Sequence, residues 1–390
     1  MRVLLTIHHH LDRDSGAPGA TLSLAKGLEQ LGVEVAIFSF DDLPQRLPAL
    51  AKEALFPEFV ARELWRSANR YDVVDAATGD AWLWALGRRR SPTLVTRSHG
   101  LEHVGWQADT VALREAETPR PRLRTRLYHG WWRLREVELS LALADACVFL
   151  NSGDRQWASE RFGIEPSRCF VVGNGLRDEL LAAAETVETG DHVAIVGSWN
   201  PRKGCLTAAT AMSKIAAHNP RARFRLLGTV ADERQVLSSL DAQLRPRVTV
   251  IPRYENAELP QLLAGCGVIV APSLAEGFNI ALREAAACGL APVASDIPAH
   301  RDFVEHGNNG LLFPAGDADA LARQVLRVLD DPELRKRLAE RAARQARALR
   351  WRAIAERNLQ IYRHAATLRQ PRKTQMLASL VRLRARDLRA

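Results

Sequence analysis

The length, composition and charge of the chain exclude several classes of protein. Its 390 residues exceed a typical single core and favour two domains, and no apolar run reaches the ~20 residues of a membrane span. The net charge of +9 comes from the last 45 residues, which hold 12 Lys or Arg and 2 Asp or Glu. The rest of the chain is neutral, so its charge does not indicate a nucleic-acid partner.

The first part of the chain alternates strand and helix patterns. "RVLLTI" predicts a strand, a polar Gly-rich loop follows, and a 3.6-residue apolar period from Thr21 predicts a helix that Gly32 ends. The further strands predicted here are "VEVAIFSF", "YDVVDAA", "PTLVTRS" and "ACVFLNS". Strand, helix and strand at this spacing form a βαβ unit, which favours a parallel sheet.

The same alternation restarts after residue 190. Strands are predicted at "HVAIVG", "RFRLLG", "VTVIP" and "VIVAPS", with a helix near 206–217, and the polar segment 175–191 fits a linker. The sequence therefore predicts two doubly wound α/β domains, 1–174 and 175–345. Ligands of such sheets lie beyond the carboxyl ends of the strands, so we expect a cleft between two facing sheets.

Two glutamates eight residues apart follow the strand "GVIVAPS". Glu276 comes three residues after the strand, and Glu284 lies on the helix predicted just beyond it. The first turn of a helix offers unpaired N–H groups to a phosphate, and Gly277 lets the backbone approach closely. A carboxylate on each side of such a site suits a nucleotide sugar, whose hydroxyls flank a diphosphate. On spacing alone, a solvated loop glutamate and an exposed helix glutamate are the alternative.

With these surroundings the chain resembles the retaining glycosyltransferases of family 4, over essentially residues 1–365. Glu276 and Glu284 in "EGFNIALREA" match the family's E-x7-E element. The resemblance implies the GT-B fold of two facing Rossmann-like domains, with Glu276 at the donor sugar and Glu284 at the ribose. It places four more residues at the sugar or diphosphate: Gly277, Phe278, Asn279 and Ile280. Asn279 departs from the family, in which glycine is common there.

Three other loops carry further matches. In "VGSWNPRKG", Lys203 matches a lysine that neutralises the donor diphosphate, whereas Ser198 stands where the family has an arginine, and Arg202 is the candidate replacement. In "TRSHGLEHV", His99 matches the strand-end histidine that faces the sugar. In "SGAPG", Gly16 matches a paired-glycine loop near the diphosphate and acceptor.

The resemblance implies a hexosyltransferase-type enzyme of polysaccharide or glycoconjugate biosynthesis. It would move a sugar from a nucleoside-diphosphate sugar to the hydroxyl of a saccharide or lipid-linked acceptor with retention, and needs no metal or other cofactor. The triple histidine 8–10 does not predict a metal site, because adjacent side chains of an extended chain point to opposite sides. "DAD" at 317–319 does not predict one either, because Asp317 fits a helix N-cap. The alternatives are a nucleotide-sugar epimerase of the same fold and a degenerate binding homologue, for which Ser198 is the one argument.

The C-terminal segments carry separate predictions. Residues 346–370 resemble the family's closing helix, which returns to the first domain, and the basic tail 371–390 has the spacing of an amphipathic helix suited to an anionic membrane surface. Trp131 and Trp132 lie among arginines in a second candidate membrane patch; a solvated tail and core-facing tryptophans are the alternatives. Five widely spaced cysteines favour free thiols and a cytoplasmic location. With the two candidate membrane segments, we expect a location that is peripheral at the inner membrane face.

Overall fold

Twelve strands of the described residues form two separate parallel sheets. The computed structural model describes residues 1–88, 92–115 and 123–368. The first sheet contains β1 (Arg2–Ile7), β2 (Glu34–Ser39), β3 (Val73–Ala77), β4 (Thr93–Arg97), β5 (Ala146–Phe149) and β6 (Cys169–Val171). The second contains β7 (His192–Val196), β8 (Phe224–Leu227), β9 (Val248–Ile251), β10 (Cys266–Ala271), β11 (Ala291–Ser295) and β12 (Leu311–Phe313).

Sixteen α-helices of the described residues accompany the sheets. The seven that precede residue 175 are α1 (Gly16–Glu29), α2 (Ala49–Ser67), α3 (Trp82–Gly87), α4 (Glu102–Glu115), α5 (Leu123–Leu127), α6 (Arg133–Leu143) and α7 (Ser152–Phe162). The next eight are α8 (Asp178–Ala184), α9 (Cys205–His218), α10 (Glu233–Ser238), α11 (Leu259–Leu263), α12 (Ile280–Ala287), α13 (Pro298–Arg301), α14 (Ala318–Asp330) and α15 (Pro332–Arg347). The last is α16 (Trp351–Thr367).

These elements belong to two compact units. The first unit comprises residues 1–103, 123–175 and 351–368, and the second comprises residues 104–115 and 176–350. The strand orders are β2-β1-β3-β4-β5-β6 and β12-β11-β10-β7-β8-β9. Every pairing between neighbours is parallel.

Alternate residues of the second sheet point into two different cores. Val193 and Ile195 of β7 pack with residues of α9 and α14, whereas Ala194 packs with residues of α12 and α15. Val268 and Ile269 of β10 divide in the same way. Because successive side chains of a strand point to opposite faces, helices cover both faces of this sheet. The predicted doubly wound α/β architecture is confirmed.

The last described helix, α16, packs within the first unit. Gly27 of α1 lies so near α16 that an added Cβ would be 3.0 Å from the Cβ of Ala355. Inside the unit, Arg97 of β4 pairs with Asp75 of β3 at 2.5 Å, and both are held by α16. Arg97 Nη2 donates to Asn358 Oδ1 at 2.6 Å, and the Tyr362 hydroxyl donates to Asp75 Oδ2 at 2.6 Å. The predicted return of the C-terminal helix to the first domain is confirmed.

Three features differ from the sequence-based expectations. Helix α1 begins at Gly16, earlier than the apolar period indicates, because Pro18 is tolerated in a first helical turn. Strands β11 and β12 were not anticipated. Pro292 within β11 normally argues against an internal strand, and β12 has only three residues. Asp317, in contrast, caps α14 as predicted, accepting a hydrogen bond from the amide of Ala320 at 2.8 Å.

Candidate active site

The second sheet reverses its strand order at β7, where the chain proceeds to β8 on one side and later returns to β10 on the other. Ligands of open α/β sheets bind at such a switch point, beyond the carboxyl ends of the strands. Two loops begin there, at Gly197 after β7 and at Pro272 after β10. They contain seven of the residues singled out from the sequence.

Backbone contacts join these two loops. Gly204 has a left-handed backbone (φ +76°), and a Cβ there would collide with the carbonyl of Pro272, so only glycine allows this approach. The amide of Leu274 donates to the carbonyl of Arg202 at 2.8 Å. Asn200 caps the short 3-10 helix Pro201–Lys203 by accepting from the Lys203 amide at 3.0 Å. Lys203 is thereby aimed at the loop that follows β10.

Lys203 and Glu276 form an ion pair. Lys203 Nζ lies 2.6 Å from Glu276 Oε1, and the Ser273 hydroxyl donates to the same oxygen at 2.8 Å. The Glu276 side chain is only 7% exposed. Burial opposes its charge, but the Lys203 ammonium and the hydrogen bonds outweigh burial and hold the pKa of Glu276 below its usual value. Glu276 is therefore an ionised, nearly buried carboxylate, which is not what a solvated loop residue would be.

A buried histidine that sequence analysis missed supports the start of α12. Asn279 has φ +53°, caps the helix through the amide of Leu282, and donates from Nδ2 to His300 Nε2 at 2.9 Å. His300 Nδ1 lies 2.9 Å from the carbonyl of Ser295, whose hydroxyl donates to the carbonyl of Ser273 at 2.5 Å. Burial lowers the pKa of His300 to about 4, so the ring is neutral and accepts from Asn279. This chain of hydrogen bonds fixes both ends of the loop that holds Glu276.

The remaining residues of the predicted element occupy distinct positions. Phe278 is buried against the guanidinium of Arg283, which also donates to the Phe278 carbonyl, so neither its ring nor its carbonyl group is open to a ligand. Gly277 precedes Phe278, Ile280 is the first residue of α12, and both are part-buried. The first amides of α12 therefore lie beside Glu276, as the predicted phosphate site requires.

Glu284 lies in the second turn of α12 and is 5% exposed. Arg177 Nη2 approaches its Oε1 to 3.8 Å. Burial raises the pKa of Glu284 to about 7, and Arg177 only partly opposes that rise. The alternative of an exposed helix glutamate is wrong. A buried carboxyl group near its pKa, beside a cation, suits recognition of hydroxyl groups.

Arg202 and Ser198 have partners of their own in the second unit. Arg202 Nε lies 3.0 Å from Asp109 Oδ1 of α4, and its Nη1 donates to the carbonyl of Ala275 at 3.4 Å. The Ser198 hydroxyl accepts from Asn200 Nδ2 at 2.9 Å. Arg202 thus reaches the loop of Glu276, but a carboxylate already holds its guanidinium.

The first unit carries the other two predicted residues. His99 follows β4, and its Nδ1 is buried and has no hydrogen-bond partner among the described residues. Burial and the nearby charge of Arg97 lower the pKa of His99 to about 3, so the ring is neutral. Gly16 is the first residue of α1, with open space around it. Gly19 has the tighter contact, because an added Cβ would lie 2.6 Å from the Arg13 carbonyl.

A charged cluster that sequence analysis also missed lies at the carboxyl ends of β1 and β3. His8 Nδ1 lies 2.7 Å from Asp80 Oδ1, and the Thr6 hydroxyl donates to Asp80 Oδ2 at 2.8 Å. Arg133 donates to the carbonyl of Thr78 at 2.7 Å, and its Nη2 lies 3.2 Å from the His8 ring. Of the adjacent histidines, His8 contacts this cluster by hydrogen bonds, whereas His10 bonds to Asp41.

Comparison with known proteins agrees with this geometry. The chain matches the family Glycosyltransferase Family 4 over residues 15–180 and Glycosyl transferases group 1 over residues 170–345. Together the two matches cover residues 15–345 and include every predicted site residue. The chain belongs to glycosyltransferase family 4.

Two curated relatives are 27% and 28% identical to this family 4 chain over the parts that align. A D-inositol 3-phosphate glycosyltransferase of Nocardioides sp. is 27% identical over 83% of this chain and 73% of its own length. A phosphatidyl-myo-inositol mannosyltransferase of Mycolicibacterium smegmatis is 28% identical over 53% of this chain. That match spans about half the length of the mannosyltransferase, 54%.

Solved structures confirm the GT-B fold class. A sucrose-phosphate synthase from Thermosynechococcus elongatus superposes with a TM-score of 0.72, at 22% identity, over 93% of this chain and 98% of its own. The Anabaena protein HepE in complex with UDP and glucose superposes with a TM-score of 0.65, at 21% identity, over 92% and 98%. At these identities the likeness shows the fold alone.

Membership of the family does not test the expected binding to a membrane surface, which stays a prediction. Trp131 and Trp132 are 58% and 42% exposed, so the alternative of core-facing tryptophans is wrong. The tail 371–390 and residues 120–122 lie outside the described residues. Within the described ranges, no helix is long and apolar enough to cross a membrane. All five cysteines are free thiols, and Cys205 is the least buried of them.

Proposed function

We propose that the protein transfers a hexosyl group from a nucleoside-diphosphate sugar to an acceptor hydroxyl, with retention of configuration and without a metal ion. The observation that carries this proposal is the Lys203–Glu276 pair of 2.6 Å, beside the first amides of α12 at the switch point of the second sheet. A cation, helix amides and a buried carboxylate there match the phosphates and hydroxyls of such a donor.

The ion pair supplies groups for both parts of the donor. A diphosphate offers Lys203 a more highly charged partner than one carboxylate, so the ammonium turns to the phosphates and Glu276 accepts hydrogen bonds from the sugar hydroxyls. Glu284, one turn further along α12, accepts hydrogen bonds from the ribose. The neutral His300 and Asn279 keep the loop in place while these partners exchange.

The reaction breaks the bond between the anomeric carbon and the leaving phosphate oxygen. The acceptor oxygen bonds to the same face of the anomeric carbon, and its proton passes to the leaving phosphate oxygen. Lys203 and the amides of α12 stabilise the negative charge that develops on that phosphate. This mechanism needs no covalent nucleophile. We also propose that His99, whose Nδ1 has no hydrogen-bond partner among the described residues, contacts the sugar.

The relatives indicate an acceptor class. Their names refer to inositol 3-phosphate and phosphatidylinositol, so we propose a polyol or saccharide acceptor, free or lipid-linked. A cytoplasmic location, peripheral at the inner membrane face, stays a prediction.

The test is release of nucleoside diphosphate from a panel of UDP-, GDP- and ADP-sugars, with and without polyol, saccharide and lipid-linked acceptors. We expect release that requires an acceptor and that persists with EDTA. Glu276→Gln should lower turnover by about tenfold or more, the effect of one hydrogen bond to a charged group, and should change nucleotide affinity less. The matched control is Glu233→Gln, at an exposed glutamate of α10.

Other results would contradict the proposal. Interconversion of the sugar without an acceptor would identify an epimerase. Tight nucleotide binding without any turnover across the panel would identify a binding homologue.

A further inference from the structure

A cavity of about 530 Å³ lies at the amino-terminal edge of the second sheet. Gly190 precedes β7, Gly267 is the second residue of β10, and Gly289 precedes β11, and all three line the cavity together with one face of α15. The switch-point loops of the candidate active site lie at the carboxyl ends of the same strands. The cavity is therefore separate from that site, and its volume is typical of a small-molecule pocket.

Small residues create the space. Ala339 and Ala343 of α15 face the sheet edge at a four-residue spacing. Gly267 cannot carry a side chain, since a Cβ would collide with the carbonyl of Gly190 and lie 3.1 Å from Cδ of Arg335. Larger residues at these positions would fill the cavity.

Cations surround this space. Arg335, Lys336, Arg344 and Arg347 line the cavity, against two carboxylates, Glu185 and Glu340. Arg347 donates to two carbonyl groups, those of Ala287 at 3.0 Å and Ala184 at 3.3 Å. These hydrogen bonds hold its side chain in place in the lining of the cavity.

The other cations have unused hydrogen-bonding capacity. Arg335 Nη1 is buried and has no hydrogen-bond partner among residues 1–88, 92–115 and 123–368. A buried donor without a partner is costly. A ligand oxygen would satisfy it. Among these described residues, no carboxylate lies within ion-pair distance of Lys336 or of Arg344.

We propose that this cavity is a second ligand site, which binds a soluble phosphate ester of about the size of a sugar phosphate. Arg335 and Arg344 hold the phosphate group, because guanidinium groups pair well with phosphate oxygens. None of the residues that line the cavity is an exposed large apolar side chain, and this favours a soluble ester over a lipid headgroup.

The test uses calorimetric titration of the full chain with glucose 6-phosphate and with inorganic pyrophosphate at low salt. Because we also propose phosphate binding at the candidate active site, every protein in this test carries Lys203→Ala. We expect saturable binding in this background, and a loss of affinity of about tenfold or more on adding Arg335→Ala with Arg344→Ala. The matched control Arg337→Ala alters an exposed arginine of α15 outside the cavity, and should leave the affinity unchanged.

A second variant covers the case in which the double arginine variant fails to fold. Ala343→Glu keeps both arginines but fills the cavity and adds a negative charge, so it should also abolish binding, while circular dichroism confirms folding. Equal affinity in all variants, or no binding at millimolar concentrations, would overturn the proposal. Arginine-dependent binding to phosphatidylserine vesicles without binding of the soluble esters would overturn the assignment to a soluble ligand.

Discussion

The two units have sheets of the same size but different chemistry at their carboxyl edges. In the second unit, Lys203 and Glu276 come from loops that follow adjacent strands, and each belongs to a short contiguous motif. In the first unit, His8, Asp80 and Arg133 are brought together from positions far apart in the chain. Similarity to a family reveals the first kind of site directly. The second kind becomes visible only in the folded structure.

The units also differ in where they place a buried ion pair. Asp75 and Arg97 of the first unit hold α16 through Tyr362 and Asn358, so their loss should affect stability. Lys203 and Glu276 lie at the predicted donor site, and their loss should affect ligand affinity more. Substitutions in the two pairs should therefore separate an effect on stability from an effect on ligand affinity.

Asp75→Ala should lower the free energy of unfolding by about 3–5 kcal/mol, because it leaves the buried Arg97 guanidinium without its carboxylate. Urea denaturation followed by circular dichroism measures the change. The control is Asp319→Ala, which breaks the exposed pair with Lys214 and should leave the unfolding midpoint unchanged. A similar shift in both variants would contradict a special role for the buried network.

Lys203→Ala should weaken the binding of UDP, GDP or ADP, whichever the protein prefers, by about tenfold or more. The ammonium is a phosphate partner in our proposal, and its removal also leaves Glu276 buried without a cation. Calorimetric titration measures the affinity, with Lys214→Ala as the exposed-lysine control. If nucleotide affinity is unchanged in Lys203→Ala, the lysine only neutralises Glu276.

The affinity for nucleoside diphosphate should rise by about threefold to tenfold between about pH 6 and about pH 8. Burial raises the pKa of Glu284 to about 7, so at lower pH the carboxyl group is protonated and accepts ribose hydrogen bonds less well. The same raised pKa means that any contribution of Glu284 to stability is lost as the pH rises through about 7.

Glu284→Gln isolates this effect. The ligand phosphates titrate equally with both proteins, so only the difference between their pH profiles reports on Glu284. Parallel profiles would show that Glu284 does not contact the nucleotide.

Arg202→Ala and Asp109→Asn should change nucleotide affinity in opposite directions, each by about twofold to fivefold. If Arg202 replaces the cation that Ser198 lacks, its removal weakens binding, whereas removal of Asp109 frees the guanidinium for phosphate. Both side chains are partly exposed, which limits the size of the effect. Unchanged affinity and turnover in Arg202→Ala would mean that Ser198 marks a true loss of one phosphate contact.

Local sequence patterns were enough to predict the alternation of strands and helices, the two parallel sheets and the positions of Lys203, Glu276 and Glu284. These features depend on local periodicity and on loops that directly follow strands, where the parallel arrangement brings neighbouring strand ends together. The sequence did not predict strands β11 and β12. Pro292 interrupts the local pattern of β11, and β12 has only three residues.

The pairing of side chains that are far apart in the chain could not be predicted in this way and depends on the folded structure. His300 supports Asn279 from 21 positions away, and Asp109 reaches Arg202 from another helix. The cavity beside α15 likewise depends on glycines from three separate strand ends meeting two alanines. The physical reason is that burial, and with it the need of each polar group for a partner, is set by packing between elements, which no short stretch of sequence contains.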